Sequence, residues 1–398
     1  MKLSQFKRVF LFAVGKASAA MTLAAAQSLH GWPVKGITIA PRNQRVPRLG
    51  TNVQVLRASH PVPGPDGLLA GKKVSATLGK LTKEDLLICM ISGGASAMIP
   101  SPTADITLSD EQQLTRSLVN SRATIHDINT VRRHISTLKG GRLAQLCKAR
   151  SILSLIISDV PGNFLPDIGS GPTVGDPTTF QDAIDAMREY GVWNHAPSRV
   201  KAHLILGRQG KIPETPKPGD AEFERVHNVV VADNAIACNA AAKALSTNQS
   251  KASVLTSRAE IEASQMGRLL AVIATDRTPQ TFRLDSILIG GETTVLVHGD
   301  GVGGRNQETT LSAVDGVAGM DGVVVAALGT DGIDGNSNAA GAIADGRTLE
   351  RAKKKGLLVH DYLARNDSYH FFRALGDNLI TGRTGTNVGD VYLTIRNN

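Results

Sequence analysis

The amino-acid sequence predicts an α/β protein of two domains, and three observations carry that prediction. Short β-branched, apolar runs alternate with Ala-rich helical stretches along most of the 398 residues. Several of the apolar runs are continuous rather than alternating, as in strands covered on both faces. The length suits two domains at roughly 100–200 residues each. Such alternation implies helices layered on largely parallel strands.

Taken in order, strands are expected over 8–14, 36–40, 53–57, 86–91 and 152–157, then over 229–231, 252–255, 286–289 and 323–328. Helical segments separate them, for example 18–29 and 110–118. The segment 207–225 carries Pro213, Pro216 and Pro218 among charged residues and is the best linker candidate. It divides the chain into domains over 1–225 and 226–398.

Composition narrows the function classes. Apolar residues make up 41% and charged residues 20%, which is ordinary for a globular chain of this size. A large core is available, so folding needs neither disulfides nor metals. Glycine is abundant (40 residues) and aromatics are scarce (4%), which favours tight turns and close backbone approaches to anionic ligands. The net charge of +9 suits a soluble basic surface or a positive cleft for anions. No zinc-finger, RRM or KH signature is present, so nucleic acid is not an expected partner. Cys89, Cys147 and Cys238 are far apart and form no CxxC pair, which fits a reducing, cytoplasmic compartment. The apolar run at 9–14 is too short for a signal-peptide core of ~7–15 residues and reads as a buried strand. No run reaches the ~18 residues of a membrane helix.

Seven turns carry candidate chemistry, each expected at the carboxyl end of a strand, where open α/β sheets bind ligands. Gly15-Lys16 ends the first strand and puts an ammonium at a helix start, where a solvated lysine is mildly disfavoured and an anion is welcome. It is not a Walker A loop. Ser92, Gly93, Gly94 and Ser96 follow a buried strand and could form an oxyanion cradle or a plain tight turn. Arg132, Arg133, His134, Lys139 and Arg142 form a basic run, either a solvated face or an anion site. Asp159 sits at a strand end as base, metal ligand or turn residue. After Glu292 in the same Gly-rich region, Gly299, Gly301 and Gly304 match G-x-G-x-x-G, a weak dinucleotide signal that Arg305 weakens further. Asp331 and Asp334 are spaced as oxygen ligands for Mg²⁺ or as an Asp-Gly turn pair. The 381–390 loop is dense in glycine, hydroxyl and Asn residues.

Together the segments VGKA, SHPVP, SGGASA, VRRH, KGGRLA, SDV, SGPTVGDPTT, GGETTV, GGRNQE, GTDGIDG, AAGAI and TGTNVGD, in this order, resemble the glycerate 2-kinase family with a C-terminal MOFRL domain. Some members of that family carry the label hydroxypyruvate reductase. The resemblance implies a Rossmann-like N-terminal domain, a MOFRL-type α/β C-terminal domain and an active site in the cleft between them. Lys16 and Arg305 become the principal catalytic residues, and D-glycerate and ATP-Mg²⁺ the ligands. Arg383, Gly389 and the alanine of SGGASA depart from the family's commoner residues.

The expected reaction is phosphoryl transfer to the C2 hydroxyl. Glycerate is expected on Ser92, Gly93, Gly94, Ser96, Lys139 and Arg142, with Asp159 as base. ATP is expected at Lys16, Gly303, Gly304, Asn306, Glu292, Thr386 and Asn387, and Mg²⁺ at Asp331 and Asp334. No membrane partner is expected, and a homodimer is among the allowed assemblies. The rival readings are an NAD(P)-dependent hydroxypyruvate reductase and a non-catalytic sugar-phosphate-binding regulator.

Overall fold

The computed structural model describes residues 2–50, 52–246, 251–276 and 285–396. The chain divides into two compact units. The first comprises 1–157 and 164–231, the second 158–163 and 232–398.

The first unit is built on a six-stranded sheet ordered β3-β2-β1-β4-β5-β6. The strands are β1 (Arg8–Val14), β2 (Val34–Pro41), β3 (Val53–Ala58), β4 (Asp85–Ile91), β5 (Ser151–Ile157) and β6 (Val226–Ala232). The pairs β1–β2, β1–β4, β2–β3 and β4–β5 are parallel. Register explains the continuous apolar runs. Val9, Leu11 and Ala13 of β1 lie opposite Leu86, Ile88 and Met90 of β4, and these six form one buried face with Phe6 and Leu29. Every residue of β4 is buried, and past Asp85, which pairs with Arg8, both faces are apolar.

β6 joins this sheet, which moves the unit boundary past the expected Arg225. The segment 207–225 is correspondingly not a free linker. Glu214 accepts from the Phe180 amide (3.0 Å), Lys217 Nζ donates to the Thr178 carbonyl, and Gly175 abuts Pro218. Its prolines keep the segment extended while it lies along the unit.

The second unit holds a sheet ordered β11-β10-β9-β12-β8-β7. Its strands are β7 (Ala252–Ala259), β8 (Ser286–Gly291), β9 (Val323–Gly329), β10 (Gly341–Asp345), β11 (Asn378–Leu379) and β12 (Asp390–Arg396). Here the expectation of largely parallel strands is corrected. The pair β7–β8 is parallel, whereas β12 runs antiparallel to both β8 and β9, and β10 to β9 and β11. The reason is β12, a central strand, together with β10, both absent from the expected set. Helices Ala263–Thr275 and Arg305–Val317 cover one face through Met266, Leu270, Ala313 and Val317 against Ile289, Val325 and Tyr392. No helix among the described residues is long and apolar enough to cross a membrane.

The first unit contains a buried ionic network. Arg133 is fully buried, with Nη1 on Asp167 Oδ1 (2.9 Å) and Nε 2.9 Å from Asp176 Oδ1. His134 Nε2 lies 3.0 Å from Glu214 Oε1. Burial alone would raise the Glu214 carboxyl. His134 and the amides of Thr215 and Phe180 outweigh it and bring the carboxyl from 4.5 down to about 2. A folded value below the unfolded one gives stability that is present above pH 4.5 and lost as pH falls toward 2. In urea titrations across that window, Glu214→Gln is therefore expected to flatten part of the acid loss of stability seen in the parent. Superimposable pH profiles would show that the His134–Glu214 pair carries no such linkage.

Candidate active site

In the first unit the strand order reverses between β1 and β4, the place where such sheets open a ligand crevice at their carboxyl ends. Two turns distant in sequence meet there. Gly15 has φ +118°, and a Cβ on it would lie 2.3 Å from the Ser92 carbonyl oxygen. Only glycine permits both. The Lys16 amide donates to the Gly93 carbonyl (2.9 Å) and the Ala17 amide to Ser92 Oγ (3.0 Å). Gln44, after β2, donates to the Lys16 carbonyl at 2.7 Å. Lys16 and the 92–96 turn are thus one construction. The amides of Gly93 and Gly94 donate to no group among the described residues. With Gly94 left-handed (φ +85°), they form a concavity of the kind that takes an anion.

The turn is braced from behind. Ser96 Oγ is 2.8 Å from Ser170 Oγ, which donates to Asn129 Oδ1 (2.8 Å), and Asn129 Nδ2 reaches the Asp167 carbonyl (3.2 Å). Arg133 holds the same Asp167. Most of the basic run expected to bind substrate turns inward to build this brace. Lys139 is a correction: it is fully buried, 3.4 Å from Glu111 Oε1, and burial pulls its ammonium below the ordinary value. Arg142 likewise packs inward, its Nη1 donating to the Arg133 carbonyl at 2.7 Å, with its pKa lowered by burial. Neither side chain is presented as the sequence suggests, because the helix Ile125–His134 and the residues after it carry the cations into the core.

His60 is a site residue the sequence reading overlooked. It belongs to the SHPVP segment after β3, and its ring stands against Gly94. The only cue was a histidine placed between a strand and a helix-starting Gly-Pro, which is too common to single out.

In the second unit, register brings the key groups to one end of the sheet. Asp390, first residue of β12, lies opposite Gly291 at the carboxyl end of β8 and Gly329 at the carboxyl end of β9. Its side chain is fully buried and holds Arg305 through a two-pronged contact, Nε to Oδ2 and Nη2 to Oδ1 (3.0 Å). The third guanidinium nitrogen is 3.1 Å from Glu292 Oε1. Burial would lower the Arg305 pKa, but Asp390 and then Glu292 outweigh it and hold it above the ordinary value. Tyr392 donates to Asp390 Oδ2 (3.0 Å) and accepts from the Thr293 amide (3.0 Å). Asp390 and Tyr392 were also overlooked, although the terminal run DVYLTIR has the alternation of a half-buried strand.

Asp334 is a second correction. It is almost fully buried, and its two oxygens accept from the Asn306 amide (3.0 Å), the Gln307 amide (2.8 Å) and both their side chains (3.2 and 2.9 Å). It therefore caps the helix Arg305–Val317 instead of offering oxygens to a metal. Asn306 is buried between Asp334 and Asp390 (3.1 Å), so it positions carboxylates and does not face a nucleotide. Asp331 remains partly exposed, with Oδ1 accepting from the Ile333 amide (3.1 Å). Among the described residues no group of three or more His, Cys, Asp or Glu forms a metal cage.

The glycines of the G-x-G-x-x-G run are used in packing within the second unit. A Cβ on Gly299 or Gly301 would meet the Arg365 carbonyl oxygen at 2.5 or 2.4 Å, so these glycines serve chain packing. Gly303 donates to Asn336 Oδ1 (2.9 Å), and a Cβ on Gly304 would lie 2.4 Å from Asp334 Oδ1. The first helical amides beyond them are already occupied by Asp334, so no pyrophosphate site of the dinucleotide kind exists there.

The 381–389 loop is tied down by Thr384 Oγ1 on the Thr330 carbonyl (2.7 Å) and by Thr330 Oγ1 on the Gly389 carbonyl (2.7 Å). Thr386 and Asn387 are partly exposed in it, and Asn387 Nδ2 donates to Asp159 Oδ2 at 3.3 Å. Asp159 thus belongs with the second unit, although its strand β5 belongs with the first.

Comparison with known proteins bears on both units. Residues 1–205 match a family described as a domain of unknown function (DUF4147), and residues 285–390 match the MOFRL family. A glycerate 2-kinase of Pyrococcus horikoshii is 37% identical over 98% of this chain and 87% of its own length. A protein of Agrobacterium vitis described as a putative hydroxypyruvate reductase is 38% identical over 96% of this chain and 86% of its own length. The crystal structure of a glycerate kinase from Thermotoga maritima superposes with a TM-score of 0.88 at 34% identity, covering 99% of this chain and 92% of that one.

The reassignment of Asp334 is testable. Asp334→Asn is expected to lower stability by about 1–2 kcal/mol, the cost of a lost helix cap, in thermal or urea unfolding. Its Mg²⁺ titration should overlay that of the parent. A right-shifted titration at unchanged stability would return Asp334 to the metal.

Proposed function

We propose, from the premise that the chain belongs to the glycerate 2-kinase family with a C-terminal MOFRL domain, that it phosphorylates D-glycerate at the C2 hydroxyl with ATP, giving 2-phosphoglycerate and ADP. The observation that carries the reading is Arg305. Its guanidinium is held in a fixed fork by a buried carboxylate, at the end of the sheet where β8 and β9 finish. Phosphoryl transfer asks the protein mainly for positioning and charge stabilisation, and a preset guanidinium supplies both.

For the first unit the reading assigns the glycerate carboxylate to the Gly93 and Gly94 amides with the Ser92 and Ser96 turn around them, and phosphate charge to the Lys16 ammonium. For the second unit it assigns the transferring phosphoryl group to Arg305, oriented by Asp390 and Glu292. Asp159, held by Asn387, accepts the proton of the C2 hydroxyl. Thr386 and Asn387 offer hydroxyl and amide donors to the nucleotide. Asp331 fits a Mg²⁺ ion that arrives with ATP, since that ion takes one or two carboxylates and completes its shell with phosphate and water. When bound, the ion neutralises phosphate charge. The three cysteines are buried and unpaired, which supports a reducing, cytoplasmic setting.

A coupled ADP-release assay with D-glycerate, followed by phosphorus NMR of the product, tests the assignment. No D-glycerate-dependent ADP release would overturn it, and 3-phosphoglycerate as product would overturn its regiochemistry. Lys16→Ala should lower kcat strongly with the unfolding midpoint unchanged. Arg305→Lys keeps the charge but loses the fork, and kcat at saturating substrates should fall by on the order of 10³ or more. Equal stability and equal kcat in that variant would remove Arg305 from the chemistry.

A further inference from the structure

We propose that His60 fixes the non-reacting C3 hydroxyl of the acceptor substrate and so decides which alcohol is presented for phosphorylation. The inference rests on the glycerate kinase reading and deepens it.

The geometry begins with how firmly the residue is held. Ser59 Oγ donates to Asp66 Oδ2 (3.0 Å), and Asp66 in turn takes Arg42 Nη2 (2.8 Å) and the Gly67 amide (2.8 Å). On the other side of His60, the Pro63 carbonyl accepts from Gln112 Nε2 (2.6 Å). The loop is therefore pinned on both sides of the ring. The ring itself lies over the anion turn. A Cβ on Gly94 would be 2.7 Å from His60 Cδ2 and 2.8 Å from Nε2, so only glycine leaves room for this approach. His60 is exposed to solvent, and neither ring nitrogen has a partner among the described residues. A pinned polar group with unused hydrogen-bonding atoms, beside two unused amides, is arranged for a ligand that is larger than a bare anion.

Chemistry selects which part of the ligand it meets. Packing around the ring, and then the Lys16 ammonium, push His60 down to about 4, so the imidazole is uncharged near neutrality. An uncharged imidazole offers one N–H donor and one acceptor nitrogen. The carboxylate is better served by the glycine amides, which leaves the acceptor nitrogen for an O–H group. A nitrogen of such low basicity is a poor acceptor for a proton that must leave. It suits a hydroxyl that only has to be held.

The test compares D-glycerate with D-lactate, which has the carboxylate and the C2 hydroxyl but no C3 hydroxyl. In the parent enzyme the KM for D-glycerate should lie about tenfold below the inhibition constant of D-lactate, the size of one hydrogen bond. His60→Leu should raise the KM for D-glycerate by about that factor and leave D-lactate inhibition, the KM for ATP and the unfolding midpoint unchanged. It should also release some 3-phosphoglycerate, read by phosphorus NMR. His60→Gln, whose amide can replace the lost acceptor, should recover most of the preference. Normal parent turnover with the same glycerate-to-lactate ratio in a folded His60→Leu, or in His60→Gln and His60→Leu alike, overturns this inference alone. A parent enzyme without D-glycerate-dependent ADP release overturns the kinase reading and this inference with it.

Discussion

The carboxylate of Asp390 is the group on which the second unit's arrangement depends. It begins the central strand of a mixed sheet, and it is fully buried. A charge in that position is unfavourable unless it is paired and hydrogen-bonded. Here Arg305, Asn306 and Tyr392 all supply that pairing. One carboxylate therefore sets the start of a helix, the direction of a guanidinium and the end of a strand. Asp334 repeats the device one step further back by saturating the helix's first amides. Between them the two carboxylates leave that helix little capacity to receive a ligand through its backbone, and Arg305 becomes its chemically significant residue.

The first unit solves a different problem. Its parallel sheet creates a crevice by strand order alone, and the groups at the crevice are mostly main chain: the Gly15 turn, the Lys16 and Ala17 amides, and the glycine amides at 93 and 94. Backbone cannot be aimed by a rotamer, so it has to be aimed by what lies behind it. The chain Ser96, Ser170, Asn129, Asp167 and Arg133 performs that task, running from a half-buried serine to a fully buried cation. This explains why so basic a segment contributes so little positive surface. Its charges are consumed in holding carboxylates and carbonyls inside the unit.

Much of this was legible in the sequence, for identifiable reasons. The strands β1 to β5 and β9 are mostly apolar runs bounded by turns, and their ends put Lys16 and the 92–96 turn at the carboxyl end of the first sheet. Arg305, a cation just past the glycines, suggests phosphoryl charge, and its catalytic role is what the family resemblance implies. What escaped notice was long-range pairing. Nothing local marks β12 as the strand between β8 and β9, so Asp390 read as loop. Nothing local distinguishes Lys139, buried on Glu111, from a surface lysine. Asp334 has the spacing of a metal ligand, and only the helix lying against it reveals a cap. Glycines 299 and 301 satisfy a nucleotide fingerprint because close chain packing and close ligand approach impose the same demand on Cβ.

The clamp on Arg305 also bears on how association is divided between folding and binding. A free arginine side chain carries roughly 2 kcal/mol of rotamer entropy, which a ligand must ordinarily remove when it immobilises the group. In this protein the two-pronged contact with Asp390 removes most of that freedom when the chain folds. On the proposed reading, the affinity of an incoming phosphoryl group is then reduced less by ordering of the arginine, whose orientation is decided before it arrives. Folding stability thus becomes a reservoir from which selectivity is drawn.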